Sequence, residues 1–280
     1  MSGRPAAAHA NVSVTPSKGA GLTASKVSYV RAARVAAPYV ASVTAGIVIW
    51  HLASLRTIPF ILPSPADVAG TIFHMWGTGE LVQNVADSSK RILTGWAVGI
   101  LFGIPAGLVM GWFTVVRRVL EPYVEFLRFI PPIAFISLAI IYFGIGETSK
   151  VVLIFYTTVF IVTLNTTAGV VAVDEVKLRA AACLGASRVR TLTSVVVPAA
   201  VPYMVTGARI AMGNSFMTIV SAEFVAAESG IGNLIWQARN VARTDAVFAG
   251  IIILGLMGFV ADRTLRLAAA MVLRRYGVKT

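Results

Sequence analysis

Five glycines, Gly95, Gly99, Gly103, Gly107 and Gly111, recur at every fourth position of an apolar run between Arg91 and Trp112. That spacing collects all five on one face of a helix. An apolar helix of about twenty residues is the length that crosses a bilayer. A face without side chains lets a second membrane helix approach backbone to backbone. The run therefore predicts a membrane-spanning helix inside a bundle, kinked at Pro105.

Composition agrees with this reading. Of 280 residues, 57% are hydrophobic and 13% charged, too few charges to keep so many apolar runs soluble. The predicted fold class is all-α, a polytopic membrane protein with about six transmembrane helices of ~20 residues each. No room remains for a sizeable ATPase domain. The net charge of +12 would point to nucleic acid in a soluble chain. Here the preference of basic residues for cytoplasmic loops explains it better, and no nucleic-acid partner is expected. The single cysteine, Cys183, excludes an intrachain disulfide and reads as a small packing residue.

Residues 1–34 contain no acid; the first acidic residue is Asp67. They read as a disordered basic cytoplasmic tail, or alternatively as an organelle transit peptide of similar composition. Residues 35–84 hold the first span, 35–55, and part of an outer segment that runs to about 87 and is stiffened by Pro59, Pro63 and Pro65. Residues 66–75 predict an interfacial helix. Spans follow at 91–112, 119–143, 151–171, 199–222 and 247–270, within a core of 85–273, and 274–280 form a C-terminal tail. In the third span Pro131 and Pro132 must break the helix, with Arg128 beside them. Freed backbone at membrane depth needs protein or water partners. That break is therefore either a lining of a translocation path or a plain kink satisfied by neighbouring helices. Asn165 and the threonines around it serve as glue between helices or as pore lining. Arg209 falls within the fifth span, where an unpaired arginine costs ~3 kcal/mol or more and must face a partner or a wet cavity. Asn214, Ser221 and Glu223 are further path candidates on or beside that helix. Residues 233–240 read as a short helix dipping back into the membrane. Basic residues gather at the N-terminal tail, Arg117 and Arg118, the 177–190 segment and the C-terminal tail. This bias places both termini and that segment in the cytoplasm.

The polar interruption at 174–197 has its own grammar. Asp174 can cap a short helix over 175–184. Gly185 permits a left-handed turn. Ser187 can cap a second short helix, which must end near Pro198. Helix, glycine turn and helix make a knob whose alanines allow close approach by a partner's cleft; an ordinary helical hairpin in a loop is the plainer reading.

The knob also carries a resemblance. Ala180, Ala181, Gly185, Ala186 and Ser187, followed by Val197-Pro198, resemble the "EAA" coupling loop of ABC-importer permeases. The likeness continues through Pro202, Gly207, Arg209, Ile210, Ala211, Ala222-Glu223-Phe224 and Gly230-Ile231-Gly232. Upstream it includes Ile104-Pro105-Ala106-Gly107-Leu108, Ile130-Pro131-Pro132 and Phe143-Gly144-Ile145-Gly146-Glu147. Spread over about 85–270, these motifs are similar to the nitrate/sulfonate/taurine branch of binding-protein-dependent importers. One position departs: the family places Glu first in the loop motif, and this chain has Arg179, with Glu175 nearby. The resemblance implies a type I importer permease fold in a bacterial inner membrane. It implies ABC ATPase subunits below, a periplasmic or lipid-anchored solute-binding protein above, and a homodimer forming the path. Asp174, Glu175, Arg179, Ala180, Ala181, Gly185, Ala186, Ser187 and Pro198 would then contact the ATPase. The solute would be small and anionic, with Arg128 and Arg209 favouring it by their field or pairing with Glu125 or Glu223 instead.

No G-x-x-x-x-G-K-[ST] phosphate loop, His-Glu-x-x-His, paired-cysteine metal site or G-x-S-x-G occurs. The chain reads as a non-enzyme without a cofactor or metal of its own, ATP and Mg being used by the partner ATPase. Two other classes stay open: an ATP-independent secondary transporter or channel, and a membrane anchor for a cytoplasmic complex.

Overall fold

The computed structural model describes residues 20–275. Every regular element among those residues is a helix, with no strand among them. Contacts divide the chain into a first unit ending at Arg56 and a second beginning at Thr57.

The first unit is one helix, α1 (Ala20–Leu55), of which 37–55 is apolar enough to cross a membrane. Residues 1–19 of the expected tail lie outside the described residues. From Ala20 onward the tail is not disordered but helical and continuous with the span. Five alanines among residues 20–36 favour the helix without any side-chain entropy cost.

The second unit begins with α2 (Pro65–Gly77). Ser64 caps it, accepting from the Asp67 backbone while Asp67 accepts from Ser64, a reciprocal capping box. The spans are α3 (Glu80–Trp112), α6 (Glu147–Val171), α9 (Val197–Ala226) and α11 (Thr244–Arg275). α3 starts well before the expected Arg91, because the polar residues 80–90 continue the helix as an amphipathic extension. The C-terminal expectation is altered in the same way: 274–275 belong to α11, and 276–280 lie outside the described residues.

The expected third span is two helices. α4 (Thr114–Arg128) ends at the prolines; after a 3₁₀ turn (Pro132–Phe135), α5 (Ile136–Phe143) leaves at 90°. Counting that bent pair as one span, six segments can cross a membrane; five do so as single helices or continuous helical runs. The physical cause lies at Pro131, which can neither donate to the α4 ladder nor let Ile130 stay helical.

The glycine comb meets α6. A Cβ at Gly95 would lie 2.6 Å from Ile154 Cβ, and one at Gly103 would lie 2.9 Å from Val162 Cβ. Two hydroxyls cross the same seam, Thr163 donating to the Gly103 carbonyl and Thr167 to the Gly107 carbonyl, each at 3.2 Å. α9 closes on the other side of α6, with Gly207 against Asn165 and Gly169 against Tyr203. Ile92, Ile154, Met212 and Ile219 form the apolar centre where α3, α6 and α9 meet.

Candidate functional site

At one end of the α3–α6–α9 bundle the chain folds into the expected knob. The Asp174 carboxylate accepts from the Val176 amide at 2.8 Å and starts α7 (Glu175–Cys183). Gly185 has φ +73°. The Ala186 amide donates to the Ala181 carbonyl and the Gly185 amide to the Ala182 carbonyl, both at 3.0 Å. These two bonds are a Schellman closure, which satisfies the carbonyls that a helix end leaves orphaned. Ser187 Oγ then accepts from the Arg190 amide and starts α8 (Arg188–Thr191).

The second arm does not end near Pro198, contrary to the sequence expectation. α8 passes through a π turn (Leu192–Val196) into α9. There the Val197 amide donates to Leu192 O, five residues back. This wider turn relieves the clash and lost donor that Pro198 would otherwise impose. The elbow is thus continuous with α9, a helix of the core.

The elbow presents an apolar crest. Leu184 is 87% exposed, Val189 71% and Val176 68%, with Cys183 exposed beside them. Ala181 is buried, while Ala180 and Ala182 are exposed. A groove of about 760 Å³ runs between the elbow and the start of α9, lined by Ala180, Leu184, Gly185, Arg190 and Pro198 among others. Exposed apolar crests of this kind mark surfaces that meet a partner. Arg179, which departs from the family's Glu, pairs with Glu175 one turn earlier on the exposed side of α7, so these two residues of the expected ATPase-contacting set neutralise each other.

The opposite end holds a site that the sequence reading missed. Arg91 is 3% exposed and donates to Glu147 Oε2 (2.6 Å), Glu147 Oε1 (2.7 Å), Glu223 Oε1 (2.6 Å), the Ser229 carbonyl (2.7 Å) and Ser229 Oγ (3.0 Å). Five contacts match the five N–H donors of a guanidinium. Glu223, 1% exposed, also accepts from Ser88 and the Gly232 amide, while Ser88 accepts from the Ile231 amide. Lys150 completes the cluster against Glu147. The network straps the turn between α9 and α10 (Ile231–Asn240) onto α3 and α6. Glu223 is therefore enclosed within this network rather than facing a lumen. The signal was available: a carboxylate at the end of a membrane span needs a cation at its own depth, and Arg91 and Lys150 stand at the matching ends of the apolar runs 91–112 and 151–171.

The other path candidates separate. Arg209 reaches Asp262 of α11 at 3.1 Å, and Asp262 also holds Arg266 at 2.6 Å; Glu223 is not its partner. Asn165 Nδ2 donates to the Ile161 carbonyl, Asn214 to the Ile210 carbonyl and Ser221 Oγ to the Met217 carbonyl, each one turn back. Asn214 and Ser221 flank Met217, 74% exposed, on one open face of α9. Arg128 is exposed, with its guanidinium 4.7 Å from the centre of the Phe129 ring and no ion pair with Glu125. Pro131 and Pro132 form the break beside it. Among the described residues no group of acidic, histidine or cysteine side chains could hold a metal ion.

Residues 99–272 match the family model described as binding-protein-dependent transport system inner membrane component. The chain belongs to this family. It is an ABC-importer permease subunit of the all-α membrane class. A probable ABC transporter permease protein of Brucella melitensis is 37% identical over 227 residues, covering 81% of this chain and 92% of that one. The taurine transport system permease protein of Escherichia coli is 39% identical, with coverage of 78% and 81%. The nitrate import permease protein of Leptolyngbya laminosa is 30% identical, with coverage of 76% and 79%. Among solved structures, the inward-facing MetNI methionine ABC transporter has a chain that shares the fold with TM-score 0.58 at 19% identity, covering 69% of this chain and 96% of that one. The permease elbow and the break at Pro131 both lie inside the matched segment.

Proposed function

We propose that this permease works as a homodimer, with the elbow seated in a separate ATPase subunit and a solute-binding protein delivering a small anion at the opposite end. The relatives named for taurine, aliphatic sulfonates and nitrate support an oxyanion as the solute. One observation carries the mechanism: the elbow is joined without interruption to α9 through the π turn. Movement of the ATPase against the crest of Leu184 and Val189 is then delivered as rotation of a core helix rather than absorbed in a loop. The pathway has two conformations of similar free energy, and ATP with the loaded binding protein shifts their balance. ATP and Mg bind the partner ATPase, and the permease binds neither. Both termini and the elbow lie on the cytoplasmic side, in keeping with the basic residues gathered there.

The test is uptake into proteoliposomes that hold the permease, its ATPase and its binding protein. Gly185→Pro imposes φ near −65° where the turn has +73°, and uptake should fall at least tenfold while the bundle stays folded. Uptake that survives this change would remove the lever. Uptake driven by an ion gradient without ATP would replace the importer with a secondary transporter.

A further inference from the structure

We propose that Arg128 is the residue through which the path favours an oxyanion, a role that Arg209 does not share. The inference rests on the importer reading and specifies its path. One bond marks the level of the break in the bundle, Tyr156 Oη donating to the Leu127 carbonyl at 2.5 Å. Tyr156 stands nine residues from the charged start of α6 at Glu147 and five from Val151, where the apolar run begins, or ~14 Å and ~8 Å at 1.5 Å per residue. That is between about a quarter and a half of a ~30 Å hydrocarbon core. The residue after Leu127 is Arg128, so its Cα lies within the apolar zone, on the side of the midplane away from the elbow.

At that depth a charge must be paired, buried in protein or in water. Arg91 and Lys150 are paired with carboxylates, and Arg209 with Asp262. Arg128 is exposed and has no carboxylate partner among the described residues. Facing lipid there would be costly; facing a wet path is not. The surroundings fit a path. The backbone leaves α-helical form at Phe129–Pro131, and the Phe135 ring lies 4.8 Å from the Tyr156 ring, tilted by 55°. One residue beyond Tyr156, Thr157 shares a 3.0 Å hydrogen bond with Thr218 of α9, whose hydroxyl reaches the Asn214 carbonyl. Thr157, Thr218 and Asn214 are polar and uncharged, the guanidinium lies against the Phe129 ring, and Glu125 one turn back on α4 forms no ion pair with it, so Arg128 supplies the positive charge of this region. A guanidinium offers paired N–H donors that match the planar or tetrahedral oxygens of nitrate or a sulfonate.

The experiment uses thiol labelling, which needs neither ATP nor knowledge of the solute. In a Cys183→Ser background, Arg128→Cys is treated with anionic sulfonatoethyl methanethiosulfonate and its cationic trimethylammonium counterpart. Both reagents should modify it; no reaction with either would place the side chain in lipid or packed protein and overturn the proposal. Asn214→Cys then reports the field. Its ratio of anionic to cationic labelling rates should fall about tenfold on Arg128→Gln and be restored by Arg128→Lys. An unchanged ratio would also overturn it. Size-exclusion profiles of each variant check folding. Because labelling is independent of ATP, its failure leaves the importer reading intact, whereas loss of ATP-driven uptake by the unmodified complex sinks that reading alone.

Discussion

Glu223→Gln keeps the shape of the side chain and an oxygen that can accept from Gly232, but removes the charge facing Arg91. The two groups are 1% and 3% exposed and 2.6 Å apart. Breaking a buried pair by removing one partner costs ~3–5 kcal/mol, mostly because the surviving charge stays buried. Glu147 still meets Arg91, but its side chain is 60% exposed, so solvent screens part of its hold. The expected loss is therefore at the low end, about 3 kcal/mol. Arg91→Met should cost at least as much, since it also strands the Ser229 carbonyl and leaves Glu223 unpaired. The double variant Arg91→Met, Glu223→Gln removes both charges, and should cost less than the summed singles by about 2 kcal/mol or more. Denaturant unfolding in detergent micelles, followed by tryptophan fluorescence, measures all four states. Limited proteolysis of the 227–232 turn should accelerate in the single variants, because the strap on that turn has been cut. Additivity within 0.5 kcal/mol would show that the pair does not hold α3 to the α9–α10 turn.

Other consequences follow from the same geometry. Gly103→Val would place Cβ 2.9 Å from Val162 Cβ, about 1 Å inside normal contact, and should cost ~1–3 kcal/mol by the same unfolding measurement. Gly255→Ala, with nothing within 4 Å, should instead gain a few tenths to 1 kcal/mol from helix propensity. Asp174→Ala removes the α7 cap and should cost ~1 kcal/mol, with a larger fractional loss of ATP-driven uptake than of thermal stability. Arg179→Ala should change stability by less than ~1 kcal/mol, because its pair with Glu175 is exposed on both sides; a shift above 2 kcal/mol in the unfolding curve would show that the pair has a structural role.

Much of the architecture is legible because it is local. The four-residue glycine period, the caps at Asp174 and Ser187, and the turn at Gly185 each depend on residues within a turn or two. The fate of Pro198 is not legible in the same way. Proline ends an ordinary α-helix, and only the π turn upstream, which no residue at 192–196 announces, lets the chain continue. The partners of the buried charges are equally opaque: Arg91 and Glu223 are 132 residues apart, and Arg209 and Asp262 are 53 apart. Span order alone does not say which helices are neighbours. The 90° corner after Arg128 was half visible. Pro131 and Pro132 require a break, but its angle depends on how α5 packs against Leu153 and Ala222.

The central claim is that the elbow is the contact surface for a separate ATPase, and Cys183 reports on it without any mutation. A membrane-impermeant maleimide should label Cys183 in inside-out vesicles stripped of ATPase subunits. It should fail to label intact cells, and re-bound ATPase should protect the thiol. Labelling from the outer surface, or equal labelling with and without the ATPase, would contradict the account.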